Sequence, residues 1–263
     1  MRIVTLIVND TMDRCLKAEH GLSLYIETGE HKILFDAGQS TGFAENASKL
    51  GIDLENVDFA VLSHGHYDHG GGLQHFMQMN KKAIVYVSRH AFEPHYNSAG
   101  KFIGVDPAGL DMSRIQYVDD HLQIREGIEL FSCNNRRPIV CADSYGQNML
   151  ENGHFLPDDY RHEQYLIIND MGNRICFSGC SHKGIQNIVH WFRPDFLIGG
   201  FHFMKIPATG EGKAILQNEA SALLQGNTSY FTGHCTGKEQ YAIIEEVLKE
   251  RLQMLCCGAE VTI

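Results

Sequence analysis

Short apolar runs bounded by glycine-bearing turns alternate along this chain with stretches whose apolar residues recur at helical spacing. Residues 3–8, 22–27 and 32–35 read as strands, because each apolar run is too short for a helix. Thr28-Gly29-Glu30-His31 joins the second and third as a hairpin-like turn. Residues 41–50 follow as a helix closed by Gly51. The pattern then predicts a buried strand at 59–62, a helix at 73–79 and a strand at 84–87. Strands are predicted again at 164–168, 174–177, 196–198 and 230–232, with helices near 183–191, 214–224 and 238–251.

Two stretches break this rhythm. Residues 88–123 carry Pro94, Gly100, Gly104, Pro107 and Gly109 as punctuation, and residues 134–161 are similarly irregular. No repeat, low-complexity tract or Pro/Gly/Ser-rich linker divides the chain. We therefore expect one domain over 1–263, with insertions near 88–123 and 134–161 lying over one face. Hairpin-rich strands, then strand–helix alternation, then both again, suggest two packed sheets with helices outside.

Composition narrows the class. The 263 residues are 43% hydrophobic, ample for a core. A formal charge of −10 without any Lys/Arg-rich run argues against a nucleic-acid partner held through phosphates. No apolar segment approaches the roughly 18 residues that would span a bilayer. Eight cysteines without a repeated Cys-x-x-Cys pair read as free thiols, and a reducing cytoplasm is the expected location.

Chemistry concentrates in Ser63-His64-Gly65-His66-Tyr67-Asp68-His69-Gly70-Gly71-Gly72, directly behind a strand. Imidazole and carboxylate are metal ligands, and a glycine-rich turn can aim several of them at one point. An apolar core could not bury four such groups unpaired. Polar clusters also flank later strands. Asp158-Asp159-Tyr160-Arg161-His162 precedes one, while Ser178-Gly179-Cys180-Ser181-His182, Gly199-Gly200-Phe201-His202 and Thr232-Gly233-His234-Cys235 each follow one. Functional groups gather on such loops at the rim of a rigid scaffold.

His64-x-His66-x-Asp68-His69, its preceding strand and its trailing glycines resemble the signature of the metallo-β-lactamase superfamily. Lys32-Ile33-Leu34-Phe35-Asp36-Ala37-Gly38 resembles its early strand and turn, and Thr232-Gly233-His234 its late histidine turn. The resemblance implies an αββα four-layer sandwich with the site at the sheet edges. Glu19-His20-Gly21, Gly179-Cys180-Ser181-His182-Lys183-Gly184, Gly199-Gly200-Phe201-His202 and Gly233-His234-Cys235-Thr236-Gly237 are similar to the branch labelled dihydropterin–ribofuranosylaminobenzene phosphate synthase-like.

What the resemblance implies for individual residues is a binuclear site. His64, His66 and His162 would hold the first metal, and Asp68, His69 and His234 the second. Cys180 stands where most of the superfamily has a bridging aspartate. A thiolate there favours zinc over manganese or iron and bridges less readily; the alternative is a buried filler. His162 could also be an exposed loop histidine. His20, His182 and His202 would line a substrate pocket, and Lys183, Lys205, Arg136 and Arg137 could neutralise a phosphate.

The expected activity is hydrolysis of a small-molecule ester, thioester or phosphoester by metal-bound hydroxide, with Asp68 assisting proton transfer. One or two zinc ions are the expected cofactors. A pterin-phosphate transferase and a non-catalytic ligand-binding protein with a vestigial site are the competing readings. The oligomeric state is left open.

Overall fold

The computed structural model describes residues 1–263. Strands β1 (Arg2–Ile7), β2 (Ser23–Glu27) and β3 (Lys32–Phe35) open the chain, followed by α1 (Gly42–Lys49) and β4 (Phe59–Val61). The single turn α2 (Tyr67–Gly70), then α3 (Leu73–Met79) and β5 (Ile84–Ser88), complete the first strand–helix unit. Next come β6 (His95–Tyr96), β7 (Ile115–Val118), β8 (His121–Arg125), β9 (Ile128–Phe131), β10 (Asn148–Glu151) and β11 (His154–Pro157). The last part holds β12 (Tyr165–Asp170), β13 (Asn173–Phe177), α4 (Ile185–Phe192), β14 (Phe196–Ile198), α5 (Gly210–Leu223), β15 (Ser229–Thr232), α6 (Lys238–Leu248), β16 (Leu252–Met254) and β17 (Glu260–Thr262).

Two seven-stranded sheets form, in the orders β17-β1-β2-β3-β4-β5-β7 and β16-β15-β14-β13-β12-β9-β8. Side chains alternate across each strand, and both faces of both sheets are covered. In β2, Leu24 and Ile26 enter the core between the sheets while Tyr25 enters the core on the other face. In β12, Leu166 and Ile168 face the first sheet while Tyr165 and Ile167 meet the helices. This double burial is why the strands read as continuous apolar runs. Phe43 and Ala47 of α1 and Phe76 of α3 pack outside the first sheet. Ile188 of α4, Leu216 of α5 and Ile244 of α6 pack outside the second. The result is the expected αββα sandwich.

The stretches expected to be irregular contain several strands. Within 88–123 lie β6, β7 and the start of β8, and β7 and β8 are edge strands whose exposed residues weaken the apolar pattern. Within 134–161 lies the β10–β11 hairpin, which with β6 makes a small three-stranded sheet. Every residue of β11 is exposed, so no periodicity marks it. Its turn carries a signal nonetheless: Asn152 and Gly153 both have positive φ, 50° and 80°, as a two-residue hairpin of twisted strands requires. The last long helix ends at Leu248, before the expected 251, because Lys249 turns to φ 51°. No helix is long and apolar enough to cross a membrane.

Phe177 is fully buried between the sheets, its ring 5.8 Å from that of Phe35. Phe177→Ala should lower unfolding free energy by about 3–5 kcal/mol, read from the denaturant midpoint. A loss below about 1 kcal/mol would show that the inter-sheet core does not carry the fold.

Candidate metal centre

β3 and β4 are parallel neighbours, with Phe35 paired to Val61, so the turns that follow them meet. Asp36 ends β3 with φ 58°, which turns its carboxylate under the histidine loop. Ser63 donates to it twice, from its backbone N–H to Oδ1 and from its hydroxyl to Oδ2, both at 2.7 Å. His69 donates its Nδ1 proton to Oδ2, also at 2.7 Å. The loop's far side is held by backbone bonds from Tyr67 N–H to the Ile103 carbonyl and from Val105 N–H to the Gly65 carbonyl. A side chain at Gly65 would collide with the Ala91 carbonyl oxygen. Gly179 is similarly required, because a Cβ there would strike the Ser63 hydroxyl.

The site residues expected from sequence fall into three adjoining groups. His64, His66 and His182 converge, with His64 Nε2 and His182 Nε2 3.3 Å apart. His69 Nε2 lies 3.1 Å from His234 Nε2 and 3.2 Å from Cys180 Sγ. Asp68 Oδ2 joins this second group at 3.3 Å from His234 Nε2, and His20 Nε2 lies 3.2 Å on its other side. His162 stands in the third group, with His66, His95 and Asp158. It is His182, expected to line a substrate pocket, that faces His64. The His202 ring packs edge-on against His182 at 4.2 Å. Lys183 is turned away, its ammonium held by the Ser132 and Glu163 carbonyls and by Asn134. Arg136 lies over Phe131 and Phe192.

A cavity of about 200 Å³ opens over the first two groups. His20, His66, Asp68, Cys180, His182, His202 and His234 reach its wall, with Lys205 the lysine among the lining residues.

Proton positions follow from the partners. His69 gives its Nδ1 proton to Asp36, so in the neutral ring its Nε2 carries a lone pair. Asn9 Oδ1 accepts from Gly21 N–H and faces His234 Nδ1 at 2.9 Å, so His234 Nε2 also carries a lone pair. These two lone pairs face each other at 3.1 Å beside a thiol and a carboxylate. The nitrogens repel each other unless a proton, from His69 itself or from the Cys180 thiol at 3.2 Å, or a metal cation lies among the donors. His182 Nδ1 is in addition buried without a partner. The donor set of neutral imidazoles, one thiol and one carboxylate fits a divalent metal.

Burial and the neighbouring histidines hold His64, His66 and His182 well below the usual imidazole value, so they stay neutral as ligands must. Burial likewise brings His162, His202 and His234 down to about 4. His69 is the exception: burial pushes it down, but the Asp36 carboxylate outweighs this and raises it. Burial opposes the charge on Asp68, yet His20 and His234 beside it hold the carboxyl well below its ordinary range. Burial raises the Cys180 thiol.

Several residues of this centre had no sequence signal as site residues. Asp36 belongs to the early strand and turn of the sequence pattern, and a carboxylate at a strand end is a usable cue. His95 lay in a stretch read as irregular. Glu163 sits beside His162 and accepts from the His182 and Lys183 backbone amides at 2.7 and 3.0 Å, which fixes the turn carrying His182.

The αββα sandwich with its histidine-rich turn at the sheet edge is a four-layer α/β fold with a candidate metal site at its rim. Residues 16–141 match the family model described as the metallo-beta-lactamase superfamily, and the chain is similar to that superfamily in sequence and fold. Two curated relatives come from Methanocaldococcus jannaschii. One is named 7,8-dihydropterin-6-methyl-4-(beta-D-ribofuranosyl)-aminobenzene-5'-phosphate synthase and is 28% identical over 92% of this chain and 89% of its own length. The other, described as uncharacterized protein MJ0448, is 27% identical over 78% of this chain and 80% of its own length. Among solved structures, Tm1679, described as a metal-dependent hydrolase of the beta-lactamase superfamily, superposes with a TM-score of 0.80 at 24% identity, covering 100% of this chain and 99% of that one. Zn(2+)-bound PqqB from Methylobacterium extorquens has the same fold at 10% identity, with a TM-score of 0.62 and full coverage of both chains.

The neutral histidines set the metal-free protein's response to acid. His162, His202 and His234 titrate near 4 when folded, against about 6.5 for an unperturbed imidazole. Between those values the unfolded chain binds more protons, so this stability is complete above about pH 6.5 and declines toward pH 4. Chelator-treated protein should therefore show a lower urea midpoint at pH 5 than at pH 7.5. An equal or higher midpoint at pH 5 would contradict burial of neutral rings.

Proposed function

We propose that the chain is a metal-dependent hydrolase of a small-molecule ester, thioester or phosphoester. The observation that carries this reading is the meeting of imidazole nitrogens, His69 Nε2 and His234 Nε2 at 3.1 Å, beside a cavity that His234, Asp68 and Cys180 line. His64, His66 and His182 would hold one ion, and Asp68, His69, Cys180 and His234 the other. Zinc suits imidazole and thiolate donors best, with manganese and iron the alternatives. A bound divalent ion supplies Lewis acidity toward a carbonyl or phosphoryl oxygen and makes water acidic near neutral pH.

The chain's own residues supply the remainder. Asp68 is ionised and reaches the cavity, so it can accept a proton from attacking water and orient it. Asn9 Nδ2 lies 3.3 Å from His20 Nδ1, which leaves the His20 Nε2 proton to steady Asp68. His202 and Lys205 stand where they can donate to a substrate oxygen, Lys205 adding a positive charge suited to a phosphate. The small cavity favours a small-molecule substrate.

The relative named as a synthase aligns over 92% of this chain and supports a second reading, transfer to an arylamine-bearing acceptor in place of water. Steady-state assays separate the two. The zinc- or manganese-loaded protein should hydrolyse at least one of a carboxylic ester, a thioester and a phosphodiester surrogate. His66→Ala should bind less metal and lose at least about 100-fold in kcat/KM, more than the 10–100-fold typical of a supporting residue. Its circular dichroism should match the unaltered protein, because the sheets do not depend on this side chain. Failure to turn over any hydrolytic surrogate, while metal is fully bound, would reject the hydrolase reading.

A further inference from the structure

Asp158 stands at the centre of a buried group that the ligand sets above leave unused. Its Oδ2 accepts the Nδ1 proton of His95 at 2.7 Å, and its Oδ1 accepts the Tyr160 backbone N–H at 2.8 Å. His162 Nε2 lies 3.5 Å from the same Oδ1. The side chains of His95, Asp158 and His162 are all fully buried. Three segments meet here: the histidine loop after β4, strand β6 of the small sheet, and the approach to β12.

The hydrogen bonds assign the protons. An ionised carboxylate only accepts, so His95 carries its proton on Nδ1 and presents a lone pair at Nε2. Gly65, inside the histidine motif, donates its backbone N–H to His162 Nδ1 at 2.9 Å. A neutral His162 must then carry its proton on Nε2, the atom facing Asp158. In that form it offers no lone pair to a metal.

Three nitrogens of this group are buried without a hydrogen-bond partner: His162 Nε2, whose nearest acceptor is Asp158 Oδ1 at 3.5 Å, and His66 Nε2 and His95 Nε2. The His66 and His95 rings are edge-to-face neighbours with centroids 5.7 Å apart. One N–H···N bond between these two rings would satisfy both. It also leaves the His66 Nδ1 lone pair free for a metal, the usual arrangement when a ligating histidine donates its other N–H to a supporting acceptor.

We propose that Asp158 is the hub of a positioning network that holds His66 from two sides. One arm runs from His66 Nε2–H to His95 Nε2 and from His95 Nδ1–H to Asp158. The other runs from Gly65 N–H to His162 Nδ1 and from His162 Nε2–H to Asp158, and steadies the backbone of the metal loop. The proposal rests on the reading of His66 as a metal ligand. It makes His95 and His162 positioning residues, whereas the competing arrangement has His66, His95, Asp158 and His162 ligating an ion themselves, since one donor atom from each lies within 4.8 Å of the others.

The test uses the full chain loaded with zinc. Long-range proton–nitrogen correlation spectra of protein labelled with nitrogen-15 histidine should show His95 protonated on Nδ1 and His162 protonated on Nε2, with no zinc shift at either ring. This measurement needs no variant and cannot be confused with misfolding. Asp158→Asn should keep the zinc stoichiometry and the circular dichroism of the unaltered protein, while its zinc affinity in chelator competition falls about 10–100-fold. A zinc-shifted His95 or His162 nitrogen, or loss of one zinc equivalent in folded His95→Gln, would overturn the proposal in favour of direct ligation. An unchanged affinity in Asp158→Asn would overturn it while leaving the metal reading intact. Absence of zinc binding in the unaltered protein would overturn both.

Discussion

One buried carboxylate ties this site to its scaffold. Asp36 sits at the end of β3 and takes three hydrogen bonds from the loop after β4, two from Ser63 and one from His69. Neither Asp36 nor His69 has any exposed side-chain surface. A buried charge is tolerable only when its lone pairs are met, and here the loop's own polar groups meet them. The same bonds make two choices at once. They place the loop against the sheet edge, and they fix the His69 ring so that Nε2 presents its lone pair to Cys180 and His234. The fold and the chemistry of the second ligand group therefore depend on the same carboxylate.

The principle recurs around the centre. Asn9 does for His234 what Asp36 does for His69, and Asp158 does the same for His95. Each support comes from a different part of the chain: the end of the first strand, the turn after β3, and the approach to β12. Strand ends converge at this edge because β3, β4 and β5 run parallel in one sheet and β13, β14 and β15 in the other. The small sheet adds a second function to this frame. Asn97, Ile103 and Gln147, from its connecting segments, line the cavity, while His95 of β6 reaches the buried group beneath.

The sandwich was largely legible in the amino-acid order. Strands such as Lys32–Phe35 and Phe196–Ile198 are buried on both faces, so their apolar runs are unbroken. The edge strands and the β10–β11 hairpin were not legible by periodicity, because exposed residues erase it; the Asn152-Gly153 turn was the cue to use. At the site, the residues His64 to His69 announce metal chemistry because they are adjacent in sequence. Which distant histidine faces His64 could not be read that way. His162 and His182 both flank the β12–β13 pair, and only the packing that turns His162 Nδ1 to the Gly65 amide, and His182 Nε2 to His64, separates them. Supports such as Asp36 and Asp158 are silent for the same reason: their meaning lies in a hydrogen bond across many residues.

We propose these converging lone pairs as the ligands of a metal centre. The most direct test is a crystal structure of the zinc-loaded protein with anomalous diffraction recorded on both sides of the zinc absorption edge. Anomalous density is expected among His64, His66 and His182 and among Asp68, His69, Cys180 and His234. Density at neither position, with zinc present in the crystal at saturating concentration, would contradict it.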